Sequence, residues 1–134
     1  MRIYLDTAPL IYLIEGQEVL ANKVAEQLKN WVLNDATIGT STLTLLELLV
    51  VPKKDKNESL VQKYRAMLSE LLSEPLIPMS EAIAERAAEY RASLLVKTPD
   101  AVQLATATYG GFDVFYTNDQ QLKKCEEIEV LLIE

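Results

Sequence analysis

The sequence contains 134 residues, which suits one domain at roughly 100 to 200 residues per domain, so residues 1–134 are predicted to form a single domain. Thirteen Lys and Arg against 20 Asp and Glu give a formal net charge of −7, which argues against an overall basic surface for nucleic acid. The absence of His and the presence of one Cys exclude mechanisms and zinc sites that need an imidazole or a cysteine cluster.

The first half of the chain is predicted to alternate short strands with helices. The apolar run at 2–5 predicts a strand, and a short helix follows at 9–16. Apolar residues recur every three or four positions over 19–33, which predicts an amphipathic helix. Residues 37–40 predict a second strand, and the apolar segment at 41–52 predicts a buried helix that stops near its proline.

The second half is predicted to continue this alternation. Helices are expected at 59–72, from 80 onwards, at 98–109 and at 119–124, and strands at 75–79, 114–117 and 130–133. The segments between strands are much longer than hairpin loops, which favours parallel strands covered by helices. The predicted fold class is therefore α/β.

Four acidic residues occupy informative positions. Asp6 and Asp119 each follow a predicted strand, Glu47 interrupts an apolar helix, and Asp100 lies in the first turn of its helix. Each has an ordinary explanation as a turn, cap or helix-edge residue. In a parallel sheet, however, the carboxyl ends of strands and the amino ends of the following helices share one edge. We therefore expect Asp6, Glu47 and Asp119 to converge at that edge.

Converging carboxylates would need a cation. Two carboxylates about 5 Å apart repel by about 3 kcal/mol at an effective dielectric near 20. Mg2+ and Mn2+ prefer oxygen ligands, which matches a chain with no His and one Cys. The sequence thus predicts Mg2+ or Mn2+ as the cofactor.

Four segments, each around one of these acids, resemble the acidic motifs of PIN-domain ribonucleases. They read YLDTAPLIYLIEG, STLTLLELLVVP, KTPDAVQLATA and YTNDQQL. The similarity runs from Ile3 to about Ile133, and the length is similar to that of VapC toxins of type II toxin-antitoxin pairs. The resemblance implies a three-layer α/β/α fold with a central parallel sheet of about five strands.

The resemblance also implies an endoribonuclease that hydrolyses RNA phosphodiester bonds with a metal-activated water. Its implied catalytic residues are Asp6, Glu47, Asp100 and Asp119, of which Asp6, Asp100 and Asp119 would bind the metal, while Thr7 and Thr117 would orient these groups. Whether Glu47 or Asp100 takes the proton from the water stays open at this point.

Cations near the acids would have to hold the RNA phosphates. The candidates are Lys53, Lys54, Lys56, Arg91 and Lys97, although a solvated surface role is the more ordinary explanation for each of them. The resemblance implies a VapB-like antitoxin as partner and is compatible with a homodimer. The single Cys and the lack of an apolar span or a secretion signal predict a cytoplasmic protein that does not enter a membrane.

Three alternatives remain open from the sequence. The first is a general PIN-type RNA-processing nuclease without a toxin role. The second is a haloacid-dehalogenase-like phosphatase, which needs a second Asp two residues after the first, where this chain has Ala8. Many PIN members carry Asn at that position. The third is a scaffold without enzymatic activity, whose acids only cap helices.

The apolar segment at 43–51 contains more apolar positions than one face of a covering helix needs. The surplus predicts either a helical hairpin with the 59–72 helix or a groove for a foreign helix. The resemblance favours an amphipathic antitoxin segment in such a groove, with an Arg or Lys that reaches the acidic site.

Overall fold

The centre of the structure, a computed structural model that describes all residues from 1 to 134, is a parallel β-sheet. Its strands are β1 (Arg2–Leu5), β2 (Thr37–Gly39), β3 (Val114–Thr117) and β4 (Glu129–Leu132). They are arranged in the order β2-β1-β3-β4, so β1 and β3 are the two inner strands. The predicted α/β class with a parallel sheet is confirmed.

Helices connect every pair of consecutive strands except β3 and β4, which a 3-10 helix at Gln120–Lys124 connects. The helices are α1 (Thr7–Glu15), α2 (Glu18–Leu33), α3 (Thr42–Lys54), α4 (Glu58–Leu71), α5 (Glu81–Leu94) and α6 (Thr98–Tyr109). None of them combines the length and the apolar composition that crossing a membrane requires.

The two faces of the sheet are covered by different helices. Because side chains alternate along a strand, Ile3 and Leu5 point to one face and Tyr4 to the other. The first face packs against buried residues of α1 to α4, among them Trp31 and Tyr64. The second face packs against α5 and α6. The result is the predicted three-layer α/β/α arrangement.

The sheet has four strands instead of the expected five. Residues 75–79 do not form a strand, and their only pairing is an isolated parallel bridge between Ser41 and Ile77. Pro75 and Pro78 flank Ile77 and have no backbone N–H to donate, so a continuous ladder cannot form there. This segment instead makes two hydrogen bonds beside the edge of β2, through Ile77 N to Thr40 O and Thr42 N to Ile77 O.

The apolar helix α3 extends slightly further than predicted, because Pro52 lies inside its last turn and the helix ends at Lys54. Leu48 and Leu49 of α3 share one core with buried residues of α4, so the predicted helical hairpin is confirmed. Three other apolar side chains of α3, Leu46, Val50 and Val51, remain exposed.

Gly39, at the end of β2, is required by the close approach of Phe112. A Cβ atom at Gly39 would lie 2.7 Å from Cζ of Phe112. The Phe112 ring has little freedom to move, because the Arg2 guanidinium lies 4.2 Å from its centroid and Tyr4 packs against it edge to face.

We therefore predict that Gly39→Ala lowers the free energy of unfolding by about 1–3 kcal/mol, because the added methyl overpacks this contact. Urea denaturation measures the change. In a Phe112→Leu background, which removes the ring, the same substitution should cost much less. An equal cost in both backgrounds would contradict the assigned clash.

Candidate active site

Asp6 lies directly after β1 and caps the amino end of α1. Its backbone N–H donates to Tyr116 O at 3.0 Å, which continues the pairing of β1 with β3. Oδ1 of its carboxylate accepts from the backbone N–H of Thr7 at 2.8 Å, and Oδ2 accepts from the hydroxyl of Thr117 at 2.7 Å. The carboxylate is therefore fixed between the ends of the two inner strands.

Thr117 connects two of the acidic residues. Its side chain is fully buried, and its Oγ1 accepts from the backbone N–H of Asp119 at 3.1 Å while donating to Asp6. Asp119 caps the 3-10 helix, with Oδ1 accepting from Gln121 N at 3.0 Å. Thr117 thus occupies the position expected of a residue that orients a carboxylate.

Glu47 is half-buried in the second turn of α3 and is held through one oxygen. Its Oε1 accepts from the Thr7 hydroxyl at 2.7 Å and from Nε2 of Gln103 at 3.1 Å. Oε2 receives no hydrogen bond from the protein. Asp100, in the first turn of α6, is also half-buried.

The charges of Glu47 and Asp100 act on Asp6, and those of Glu47 and Asp119 act on Asp100. The pKa of Asp6 is raised to about 6: burial is the largest cause, hydrogen bonds from Thr117 and Thr7 oppose it, and the charges of Asp100 and Glu47 add to it. Burial likewise raises the pKa of Asp100, followed by the charges of Asp119 and Glu47, while nearby Lys97 lowers it. Asp100 therefore lies near enough to Glu47 and Asp119 to be influenced by their charges.

The donor set suits a hard divalent cation, although the acids are not arranged as a finished metal site. The donors are carboxylate and hydroxyl oxygens, and none of the four acids forms an ion pair with Lys or Arg, since the one salt bridge joins Arg2 and Glu74. No three acidic side chains lie close enough together to ligate one ion as they stand. Asp6 and Asp119 are turned toward helix amino ends by their capping hydrogen bonds.

The predicted RNA-binding cations lie in different surroundings. Lys97 precedes α6 and is the one whose charge acts on Asp100. Arg91 donates to Val96 O at 3.2 Å and to the Thr98 hydroxyl at 2.8 Å, so its guanidinium holds the loop between α5 and α6. Lys53, Lys54 and Lys56 are exposed at the far end of α3, with Lys53 and Lys54 roughly 10 Å beyond Glu47 along the helix axis.

Gln103 was not among the site residues predicted from the sequence, yet it is only 1% exposed and contacts Glu47 from α6. Its amide oxygen accepts from the hydroxyls of Tyr4 and Ser41, and its amide nitrogen donates to Glu47 and to Thr44. A signal was present, because Gln103 lies three residues after Asp100, on the same helical face, within a segment that is otherwise mostly apolar.

The raised pKa of Asp6 leads to a stability prediction for metal-free protein. The pKa of Asp6 is about 6 in the folded state and about 4 in the unfolded state, so the folded state binds more protons between these values. The wild type should lose stability as pH rises through this window. In EDTA, Asp6→Asn should be more stable than wild type by up to about 3 kcal/mol above pH 7, and the difference should vanish below about pH 4.

Urea denaturation across this pH range measures the effect. Asp55→Asn, at an exposed carboxylate that ends α3, controls for the general loss of one negative charge. If Asp6→Asn were less stable than wild type at every pH, Asp6 would act only as a helix cap.

Known structures share this fold over nearly their whole length. The chain is similar to one in the VapBC2 complex of Rickettsia felis bound to a promoter DNA fragment, with a TM-score of 0.76, 20% identity and 100% of both chains covered. It is similar to one in a toxin-antitoxin complex from Klebsiella pneumoniae, with a TM-score of 0.76, 27% identity, and coverage of 96% of this chain and 95% of the other. It is also similar to a chain of FitAcB from Neisseria gonorrhoeae, with a TM-score of 0.75, 20% identity and 96% of both chains covered.

No functionally curated protein matches the sequence significantly. The sequence profile of the PIN domain matches residues 3–128, which include all four acids and nearly the whole chain. This match agrees with the four sequence motifs and with the parallel sheet that brings their acids to one edge. The chain therefore belongs to the PIN domain family.

Proposed function

We propose that this protein is a Mg2+- or Mn2+-dependent endoribonuclease. The observation that carries the proposal is the group of four carboxylates, Asp6, Glu47, Asp100 and Asp119, which act on one another at one sheet edge without an opposing ion pair. Membership of the PIN family favours this function over the phosphatase alternative, whose second Asp is replaced by Ala8.

Asp6, Asp100 and Asp119 are the residues that would hold the cation. When bound, a divalent cation lowers the pKa of a water and stabilises charge on the phosphate oxygens. Binding would require these side chains to come closer together, because no three acids now lie at ligating distance. Thr117 links the backbone of Asp119 to the carboxylate of Asp6, so it would keep these two ligands in register.

Glu47 is the residue that would accept the proton of the attacking water. Its Oε1 is occupied by two donors, whereas Oε2 is available to a proton. Asp100 is less suited to this role, since it is also a proposed ligand.

Lys97 is the cation best placed to contact an RNA phosphate next to the acids, since its charge already acts on Asp100. Arg91 would contribute indirectly, by holding the loop that leads into α6. Lys53 and Lys54 would contact only an RNA that continues along α3.

The metal-dependent activity can be tested with purified protein and a structured RNA mixture. Cleavage should occur with Mg2+ or Mn2+ and stop in EDTA. Asp6→Asn and Asp100→Asn should each lower turnover at least about 100-fold, as loss of a metal ligand or its support does, without loss of the fold. Asp55→Asn is the matched control and should cleave like wild type. Cleavage that survives exhaustive chelation, or normal activity of both site variants, would refute the proposal.

We further propose that the nuclease is the toxin of a toxin-antitoxin pair, with a VapB-like antitoxin as its partner. Support comes from the PIN family match and from the similarity to a chain of the Klebsiella pneumoniae toxin-antitoxin complex. The alternative is a general PIN-type RNA-processing nuclease, which would have the same chemistry without a dedicated inhibitor.

Expression of the protein alone should arrest growth, and the Asp100→Asn variant should not. A small protein encoded next to it should relieve the arrest and co-purify with it. Both effects can be measured by growth curves and affinity purification. A chain that is active in vitro but harmless on expression would leave the general nuclease as the function.

A further inference from the structure

We propose that Gln103 is a positioning residue that fixes the orientation of Glu47. This inference rests on the proposed nuclease function and adds a residue to it. Gln103 lies on α6, and its side chain is hydrogen-bonded to Tyr4 of β1, to Ser41 just before α3, and to Thr44 and Glu47 of α3. A buried amide stabilises a structure only when its polar atoms are paired, and here every one of them has a partner.

The two ends of the Gln103 amide face different kinds of partner. The hydroxyls of Tyr4 and Ser41 donate to Oε1, with Ser41 at 3.2 Å. Nε2 donates to Oε1 of Glu47 at 3.1 Å and to the Thr44 hydroxyl at 2.9 Å. A flipped amide would place its oxygen against the Glu47 carboxylate, so the carboxylate and the two hydroxyls together select one orientation.

This orientation determines which oxygen of Glu47 stays available. Gln103 and Thr7 both donate to Oε1, from α6 and α1 respectively, and so restrain the side chain from two sides. Oε2 is left without a protein donor. A chain of hydrogen bonds thus runs from Tyr4 on the inner strand β1 through Gln103 to the carboxylate.

A hydrogen bond to Glu47 is not a general property of the buried polar residues of α6. Thr106 is also 1% exposed, but its hydroxyl donates to Val102 O at 2.7 Å, within the same helix. Thr106 therefore offers a matched control, because Thr106→Val removes a buried polar group from α6 without altering any contact to Glu47.

The test compares Gln103→Met in two backgrounds, wild type and Glu47→Ala. Met has a similar length and shape but cannot donate to Glu47. In the wild-type background, Gln103→Met should lower kcat for RNA cleavage by about 10–100-fold with little change in KM, as loss of an orienting partner does. In the Glu47→Ala background it should have no further effect, because the residue on which it acts is gone.

Tyr4→Phe provides a second variant in case Gln103→Met folds poorly. It keeps the packing of the ring and removes only the hydroxyl that orients the amide. Tyr4→Phe should lower kcat less than Gln103→Met does. Neither substitution should have an effect in the Glu47→Ala background. Equal losses in both backgrounds, or a loss no greater than that of Thr106→Val, would overturn the positioning role.

A crystal structure of metal-free Gln103→Met separates this inference from the proposed function. The Glu47 side chain should leave its wild-type position, with Oε1 no longer next to the Thr7 hydroxyl. A Glu47 side chain that keeps its wild-type position would overturn the inference even if the wild type is an active nuclease. If the wild type does not cleave RNA at all, the nuclease proposal fails and this structural comparison still decides whether Gln103 orients Glu47.

Discussion

Repulsion among Asp6, Glu47, Asp100 and Asp119 acts at the edge of the sheet where β1 and β3 end and where α3 and α6 begin. The topology makes this concentration of charge unavoidable, because parallel strands send all their carboxyl ends to the same edge. Burial is the main cause that raises the pKa of Asp6 to about 6, and the charges of Asp100 and Glu47 add to it. Ionisation of Asp6 is therefore unfavourable in the metal-free fold.

Neutral groups, not cations, hold Asp6, Glu47 and Asp119 in place. Thr117, Thr7 and Gln103 donate hydrogen bonds to Asp6 or Glu47, and Asp6 and Asp119 accept from backbone N–H groups at the helix ends that they cap. Neutral donors orient a carboxylate without cancelling its charge. The negative charge therefore remains available to a divalent cation, which the side chains would bind after they come closer together.

Much of the fold followed from patterns that are local in sequence. The alternation of strands and helices and the caps at Asp6 and Asp119 are set by a few neighbouring residues, and they agree with the structure. The prediction of a fifth strand at 75–79 was wrong. The apolar residues there form a strand-like pattern, but Pro75 and Pro78 have no backbone N–H to donate to a β-ladder.

The sequence predicted which acids to consider but not the distances between them. Asp6 and Asp119 follow strands and Asp100 lies in the first turn of α6, as expected, whereas their joint role in a metal site stays a prediction. The position of Gln103 near Asp100 could have singled it out, but its contacts could not be predicted, because its partners Tyr4, Ser41 and Glu47 lie between 56 and 99 residues away along the chain. Arg91 looked like an RNA contact by charge alone, yet its hydrogen bonds to Val96 and Thr98 tie it to a loop.

Calorimetric titration of Mn2+ into metal-free protein at neutral pH tests most directly whether these carboxylates together form a cation site. The wild type should bind Mn2+, and Asp6→Asn and Asp100→Asn should each weaken binding by about 10-fold or more, as loss of a ligand does. Asp55→Asn should bind as tightly as wild type. Equal affinity in all four proteins, or no binding by the wild type, would contradict the claim that Asp6 and Asp100 share a metal ion.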